Sequence, residues 1–149
     1  MKLAVQDLRS RSKAELDDIF RSAEPGPIPR GISRGTAIIA PGSKLDGFLA
    51  ALVRMFWWKG KIFRPETRDL KNRISPFGLP LIRAEVYLDD SWFADGDAIV
   101  LDYSKSSLVA RMIRDEIRQV GPNLYLGQVY WGKKRLILFM LQFGPAAEA

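Results

Sequence analysis

The sequence predicts a mainly β protein in which about eight antiparallel strands close into a barrel, with one helix before the barrel and a short helix after its first strand. Short strand-like segments follow one another from Arg30 onward, separated by turn signals that contain Pro, Gly or Asp. Few of the connections are long enough for a parallel crossover. The last segment, residues 134–143, leaves neither face polar, and pairing it with the first strand avoids an exposed hydrophobic edge.

The composition is that of one globular domain, and it excludes several kinds of functional site. The 149 residues are 47% hydrophobic, which is enough to form a core without metal or disulfide staples. The chain has no cysteine, which excludes disulfides, zinc–thiolate sites and thiol nucleophiles, and no histidine, the commonest general base. We therefore expect no cofactor and no metal.

The net charge of +6 permits anionic partners but does not require them. Lys and Arg are scattered, without a basic tail or recognition motif, so we expect no binding to nucleic acid. Residues 1–16 are polar where a signal peptide would be apolar, and nothing approaches the ~20 apolar residues of a membrane span. The expected location is the cytoplasm, as a monomer or homodimer, with no stable membrane insertion.

A helix is predicted over residues 12–23. Ser12-Lys-Ala-Glu15 is a capping box, in which the serine and glutamate side chains each bond a backbone amide of the first turn. Apolar residues then recur at helical spacing: Leu16, Ile19, Phe20 and Ala23. Three prolines within residues 24–29 end the helix. We expect residues 1–29 to pack as helix and linker on a barrel domain at 30–143, followed by a flexible tail at 144–149.

Eight segments are predicted to be strands, because β-branched and aromatic residues are concentrated between turn signals. They are residues 30–40, 58–64, 67–75, 80–88, 97–103, 113–120, 123–131 and 134–143. Residues 107–120 fit a helix nearly as well as a strand, and we predict a short helical turn near 106–112 before that strand.

The second helix is predicted at residues 44–56, where a wide apolar stripe follows a Ser43 cap. Trp57 and Trp58 follow it directly, with Lys59 close by. This segment either plugs one end of the barrel or forms a portal that contacts anionic membrane transiently, since aromatic and basic residues together favour the membrane interface.

The closing segment contains Gly127-Gln-Val-Tyr-Trp-Gly132-Lys133-Lys134, which matches the pattern of a phosphate-binding loop. The loop needs a hydroxyl where Lys134 stands and a helix afterwards, whereas the following residues are strand-like. A hairpin with a two-residue Gly132-Lys133 turn is therefore favoured. Its register would pair Trp131 with Lys134, Gln128 with Ile137 and Leu126 with Phe139, and a three-residue turn would shift these pairs.

Several short motifs occur in the order found in a known family. The Pro-rich segment leads into Gly31-Ile-Ser33-Arg-Gly35, followed by Trp58-Lys59-Gly60-Lys61, residues 98–103 and the closing Leu126-Gly127 strand. Over residues 14–143 the chain resembles the GXWXG-type bacterial domains, which are small proteins with a lipocalin-like (calycin-like) barrel. Ser33 stands where the family motif has tryptophan, which marks a diverged relative. The resemblance implies a barrel of the ligand-holding kind and supplies no catalytic residues.

Eight residues are candidates for binding a ligand. On strand 80–88, Arg83, Glu85 and Tyr87 alternate with apolar residues. They either face solvent, with Arg83 and Glu85 as a weak surface pair, or face inward as the polar end of an apolar pocket. The remaining candidates are Tyr103, Gln128, Tyr130, Arg135 and Phe139.

Within that second group, Gln128, Tyr130 and Arg135 could hold a ligand carboxylate or carbonyl, or could form an exposed hairpin end. Asp102 and Tyr103 suggest an acid/base site, and Asp95, Asp97 and Asp102 suggest a metal site, but acidic residues in turns usually serve the turn itself.

Three functions fit these observations. The leading hypothesis is a binding protein whose barrel encloses an apolar or amphipathic small molecule of fatty-acid-like character. The second is an enzyme, such as an isomerase or hydratase, that uses Glu85, Asp102 or a tyrosine and needs a carboxylate of raised pKa in a cleft. The third is a non-catalytic interaction module whose barrel is filled by side chains. The sequence identifies no catalytic residues.

Overall fold

The computed structural model describes residues 3–38, 60–64, 66–74, 79–105 and 110–144. The helix predicted at 44–56, with Trp57 and Trp58, lies outside the described residues. The same is true of residues 145–149 in the predicted tail.

Eight antiparallel strands form a closed barrel in the order of the sequence, and the last strand pairs with the first. This confirms the predicted fold class. The strands are β1 (Gly31–Ile38), β2 (Gly60–Arg64), β3 (Asp69–Ile74), β4 (Leu79–Asp90), β5 (Asp97–Asp102), β6 (Ile113–Gly121), β7 (Leu124–Trp131) and β8 (Lys134–Phe143). Two helices precede them, α1 (Val5–Arg9) and α2 (Lys13–Ser22).

The predicted helix boundaries agree with α2, whose first turn carries the expected capping box. The Ser12 hydroxyl accepts from the Glu15 amide, and the Glu15 carboxylate accepts from the Ser12 amide, both at 3.2 Å. Of the ambiguous segment 107–120, the structure describes residues 110–120, which form a 3₁₀ turn, Ala110–Met112, followed by β6. Helix α1 has no counterpart in the sequence prediction, because its five residues are too few to show helical periodicity.

Closure depends on β1 and β8, which pair continuously from Ser33 opposite Phe143 to Ile38 opposite Leu138. On its other edge β1 pairs with β2 through Gly31 and Ile32, and the Ser33 side chain extends this contact. The Ser33 hydroxyl donates to the Lys61 carbonyl and accepts from the Lys61 amide, both at 2.8 Å. Ser33 therefore joins β1 to β2.

Strand β8 is covered on both faces. Its inward side chains Phe139, Leu141 and Phe143 belong to the apolar cluster inside the barrel. Its outward side chains Leu138 and Met140 belong to a second cluster that contains the buried residues of α2. Helix α2 thus lies over the outer face of the last strands.

The β7–β8 hairpin has the predicted turn but not the predicted register beyond it. Gly132 adopts a φ of +61°, and Trp131 pairs with Lys134 as expected. A β-bulge then follows, because Tyr130 pairs with Arg135 whereas Val129 pairs with Ile137. Leu136 is therefore an extra residue.

The bulge makes two of the predicted pairs wrong. Gln128 lies opposite Leu138 instead of Ile137, and Leu126 lies opposite Met140 instead of Phe139. Phe139 instead faces Gly127, where a Cβ atom would overlap its ring. A glycine at that position therefore leaves room for the Phe139 ring inside the barrel.

One end of the barrel, which we call the linker end, is closed by aromatic side chains and by the Pro-rich linker. The ring of Phe143 makes edge contacts with Phe63 at 5.3 Å and with Tyr125 at 5.5 Å between centroids. The Tyr125 hydroxyl donates to the Pro27 carbonyl at 2.6 Å. We call the opposite end, where the Gly132-Lys133 turn lies, the hairpin end.

Arg118 joins α2 to the barrel. Its side chain is 2% exposed, and its guanidinium donates to the Phe20 and Ala23 carbonyls at the end of α2, at 3.0 and 3.2 Å. It also donates to the carbonyls of Asp95 and Asp97, at 2.7 and 3.0 Å. The final carbonyls of a helix have no hydrogen-bond partner within the helix. A cation at this position donates hydrogen bonds to them and also interacts favourably with the negative end of the helix dipole.

We expect Arg118→Met to lower the free energy of unfolding by about 3 kcal/mol, because it leaves several buried carbonyls without a donor. Urea unfolding followed by circular dichroism measures the change. The control is Arg34→Met, at an exposed arginine of β1, which should change stability by less than about 0.5 kcal/mol. Equal unfolding midpoints for the two variants would contradict this role of Arg118.

Candidate ligand site in the barrel interior

The described side chains that face the barrel interior are apolar apart from a small polar group. Twelve of these described side chains form the buried apolar cluster. Among the described residues, Ser33, Lys61 and Asp115 are buried polar side chains on inward positions, and the Tyr103 hydroxyl lies beside them. The Lys61 and Asp115 side chains are each 4% exposed.

Lys61, Asp115 and Tyr103 form an interior triad. Lys61 comes from β2 and Asp115 from β6, which stand on opposite walls because the barrel order places three strands between them on either side. The Lys61 Nζ lies 3.2 Å from Asp115 Oδ2 and donates to the Tyr103 hydroxyl at 2.6 Å. The lysine side chain therefore spans the lumen.

Aromatic rings line the path of the lysine. The Lys61 Nζ lies 5.2 Å from the centroid of the Tyr103 ring and 5.5 Å from that of Phe139. The negative ring faces attract a cation, which partly offsets the cost of removing the ammonium from water.

Burial acts on the two charged groups in opposite directions. It raises the pKa of Asp115, although the charge of Lys61 and hydrogen bonds from Lys61 and Tyr103 oppose this. It lowers the pKa of Lys61, against the attraction of Asp115. Both shifts favour neutral forms, so the pair depends on its mutual attraction to stay charged.

One oxygen of this pair lacks a donor. Within the described residues, Asp115 Oδ1 is buried and has no hydrogen-bond partner, whereas Oδ2 faces Lys61. A buried acceptor without a partner costs about 1–3 kcal/mol. A ligand that supplied a donor at this oxygen would recover that energy.

The inward side chains nearest the hairpin end are less completely covered. Val129 lies directly opposite Asp115, and both Val129 and Ile113 face the interior yet are only partly buried. At the linker end, by contrast, Phe63, Tyr125 and Phe143 are almost fully buried. Ile113 and Val129 therefore keep some exposed surface beside Asp115.

The structure brings two of the eight candidate residues, Tyr103 and Phe139, to this site. Sequence reasoning did not select Lys61 or Asp115. Asp115 lies in the segment that fits a helix nearly as well as a strand, so the sequence alone does not fix the direction in which its side chain points. Read as a strand, Ile113, Asp115 and Ile117 place a carboxylate in an apolar row, and that signal would have found it.

Gln128, Tyr130 and Arg135 do lie together, but on the outer face of the barrel. Arg135 donates to the two Asp17 carboxylate oxygens of α2 at 2.7 and 2.9 Å and to Gln128 Oε1 at 3.0 Å. The bulge at Leu136 separates Arg135 from Phe139, because one extra residue reverses the facing of β8 between them.

The outer group is organised by Glu116, whose carboxylate is fully buried. It accepts from the Ser91 hydroxyl and the Trp92 amide at 2.7 Å, from the Gln128 amide at 3.2 Å and from Arg114 at 3.0 Å. The Trp92 ring makes an edge contact with Tyr130 at 5.2 Å. These bonds hold the loop at 91–96 against the barrel, which is a structural role.

Arg83, Glu85 and Tyr87 also face outward, while their neighbours Ala84 and Val86 face the interior. Of the two predicted orientations, the solvent-facing one is observed. The expected Arg83–Glu85 pair is wrong, because Arg83 bonds Asp69 and Glu85 bonds Lys105 at 2.9 Å.

The acidic partners of this face have lowered pKa values. Burial alone would raise the pKa of Asp69, but hydrogen bonds from Arg64, Thr67 and Arg83 outweigh it and lower that pKa to about 2. Burial would likewise raise the pKa of Asp102, and bonds from Tyr87 and Ser104 lower it. Asp102 therefore does not supply the carboxylate of raised pKa that the enzyme hypothesis needs.

In the part of the chain that the structure describes, no cluster of three or more acidic side chains is positioned to bind a metal ion. Asp97 and Asp102 stand at opposite ends of β5. None of the described helices is both long enough and apolar enough to cross a bilayer.

Comparison with known proteins identifies a similar fold but no family. No family model matches the chain, and no curated protein shows significant similarity to it. A crystal structure of a protein from Thermomonospora curvata is similar, with a TM-score of 0.63 at 19% sequence identity over 90% of this chain and 88% of that chain. At this identity the likeness shows the fold alone.

We expect Lys61→Met to destabilise the protein in a pH-dependent manner. Without its cation, the buried Asp115 carboxylate should cost about 4 kcal/mol at pH 8. The substitution raises the folded-state pKa of Asp115 further above its unfolded value of about 3.9, so stability is lost as the pH rises from about 4 through the raised pKa. The deficit relative to the natural protein should therefore be smaller at pH 5 than at pH 8 in urea unfolding.

The matched control is the double variant Lys61→Met with Asp115→Leu, which removes both charges and should recover most of the lost stability. A Lys61→Met deficit that is equal at the two pH values would show that Asp115 is not the group left unpaired.

Proposed function

We propose that this protein binds an apolar or amphipathic small molecule, with a body of fatty-acid-like character, in the hairpin-end half of the barrel. The observation that carries the proposal is the partly buried, inward-facing pair Ile113 and Val129 beside a buried carboxylate oxygen that lacks a donor. An apolar wall with a few placed polar groups is the usual composition of a small-molecule site. The resemblance to lipocalin-like domains agrees with this role.

The geometry suggests which way the ligand lies. Aromatic side chains and the Pro27 carbonyl occupy the linker end, so the ligand enters from the hairpin end. Its apolar body then packs against Val129 and Ile113, and its head lies near Asp115 and Tyr103.

Desolvation of the ligand body supplies most of the affinity. Burying about 300 Å² of apolar ligand surface is worth roughly 7 kcal/mol at about 25 cal/mol per Å². The loss of ligand freedom opposes part of this gain. We therefore expect dissociation constants of about 1 μM or weaker for simple ligands.

Catalysis on an enclosed substrate is the second candidate, and Asp115 is the observation that favours it. Its pKa is raised by burial, and Lys61 and Tyr103 lie within hydrogen-bonding distance of each other beside it. This arrangement could move a proton in an isomerase or hydratase reaction. Turnover that is lost in Asp115→Asn while ligand affinity is kept would favour the enzyme over the binding protein.

We expect Val129→Trp to weaken binding of the neutral fluorophore N-phenyl-1-naphthylamine at least about tenfold, because the indole fills the lumen beside Asp115. Fluorescence titration measures the affinity, and native mass spectrometry measures the stoichiometry. Ile32→Trp is the matched control, since Ile32 is a 60% exposed strand residue on the outer face. Ile113→Phe provides a second interior variant.

Equal affinities in the Val129 and Ile32 variants would place the fluorophore outside the barrel. The absence of any fluorophore binding to the natural protein would favour the filled-barrel interaction module instead.

A further inference from the structure

We infer that the interior site selects a ligand with a neutral head that donates a hydrogen bond, such as an alcohol, over a ligand with a carboxylate head. This inference rests on the proposed function and deepens it. It follows from how the three polar groups of the interior triad are already occupied.

The charge of Lys61 is already balanced. Its ammonium lies 3.2 Å from Asp115 Oδ2 and donates to the Tyr103 hydroxyl at 2.6 Å. A carboxylate head would bring a second anion next to Asp115, in an apolar interior where like charges repel strongly. The local charge therefore disfavours the fatty-acid anion itself.

Three arginines of the described residues that could have received a carboxylate lie outside the lumen. Arg135 is held by Asp17 and Gln128 on the outer face, and Arg118 is held by backbone carbonyls of α2 and of the loop at 91–96. Arg114 lies against the buried Glu116 carboxylate and the Trp92 ring. These three cations face away from the lumen.

The atom of the interior triad that lacks a hydrogen bond is an acceptor. Within the described chain, Asp115 Oδ1 is buried and receives no hydrogen bond, while the other carboxylate oxygen faces Lys61. A hydroxyl head donates to this oxygen, and a bond to an ionised acceptor is about twice as strong as a neutral one. An ether of the same length offers no donor, so it leaves the oxygen unsatisfied.

The test is a head-group series on one chain length. Decanol, methyl decyl ether and decanoate each compete with N-phenyl-1-naphthylamine for the natural protein at pH 8, where decanoate is fully ionised. We expect decanol to bind at least about tenfold more tightly than either the ether or decanoate. This comparison needs no variant, so it does not depend on whether a substitution folds.

Asp115→Asn then tests the cause. It removes the negative charge with little change in shape and leaves the Lys61 ammonium without a counter-anion, so decanoate should become the tightest of the three ligands. Glu85→Gln, at a carboxylate on the outer face, is the control and should keep the natural order.

The outcomes separate the two proposals. Binding of all three compounds with equal affinity, or tighter binding of decanoate by the natural protein, overturns this inference and leaves the binding function standing. An unchanged order in Asp115→Asn also overturns it, because the selectivity would not come from Asp115. If neither the fluorophore nor any of the three compounds binds, the binding function fails and the inference fails with it.

Discussion

The rest of the structure depends on the burial of β8, which has to be covered by other elements on both faces and paired at both edges. This strand is apolar on both faces, so it requires a core on one side and a separate cover on the other. It also has two edges, and the barrel supplies β7 for one and β1 for the other. A strand of this kind at an open edge would present unpaired backbone and apolar side chains to other molecules. Closure of the barrel and the position of α2 are two consequences of this one requirement.

Two groups of buried charges each leave one atom without a hydrogen-bond partner in the described structure, Arg114 Nε in the outer group and Asp115 Oδ1 in the inner one. On the outside, Glu116 receives four hydrogen bonds, and Arg118 donates to backbone carbonyls from both α2 and the loop at 91–96. These networks hold peripheral segments on the barrel. Inside, the Lys61–Asp115 pair spans the lumen and leaves one carboxylate oxygen without a donor. The Asp115 oxygen without a donor is the feature on which the proposed ligand site rests.

The bulge at Leu136 decides which residues share a face. It lets Arg135 face outward to Asp17 and Gln128 while Phe139 faces inward over Gly127. Without the extra residue, Arg135 and Phe139 would lie on the same face, and either the ion pair to α2 or the packing of the lumen would be lost. One inserted residue therefore allows both the ion pair with α2 on the outer face and the packing of Phe139 inside the barrel.

The sequence by itself determined the elements that local chemistry controls. The strand number, most strand boundaries, the Ser12–Glu15 cap and the Gly132 turn follow from alternation, capping and backbone preference, which act over a few residues. Only the tertiary structure decided which side chains meet. Lys61 and Asp115 are far apart in the chain and touch because the closed barrel sets their strands on opposite walls of one lumen. The facing of Arg135 relative to Phe139 depended on a bulge that no local pattern marks, and Arg135 meets Asp17 of α2 only in the folded protein.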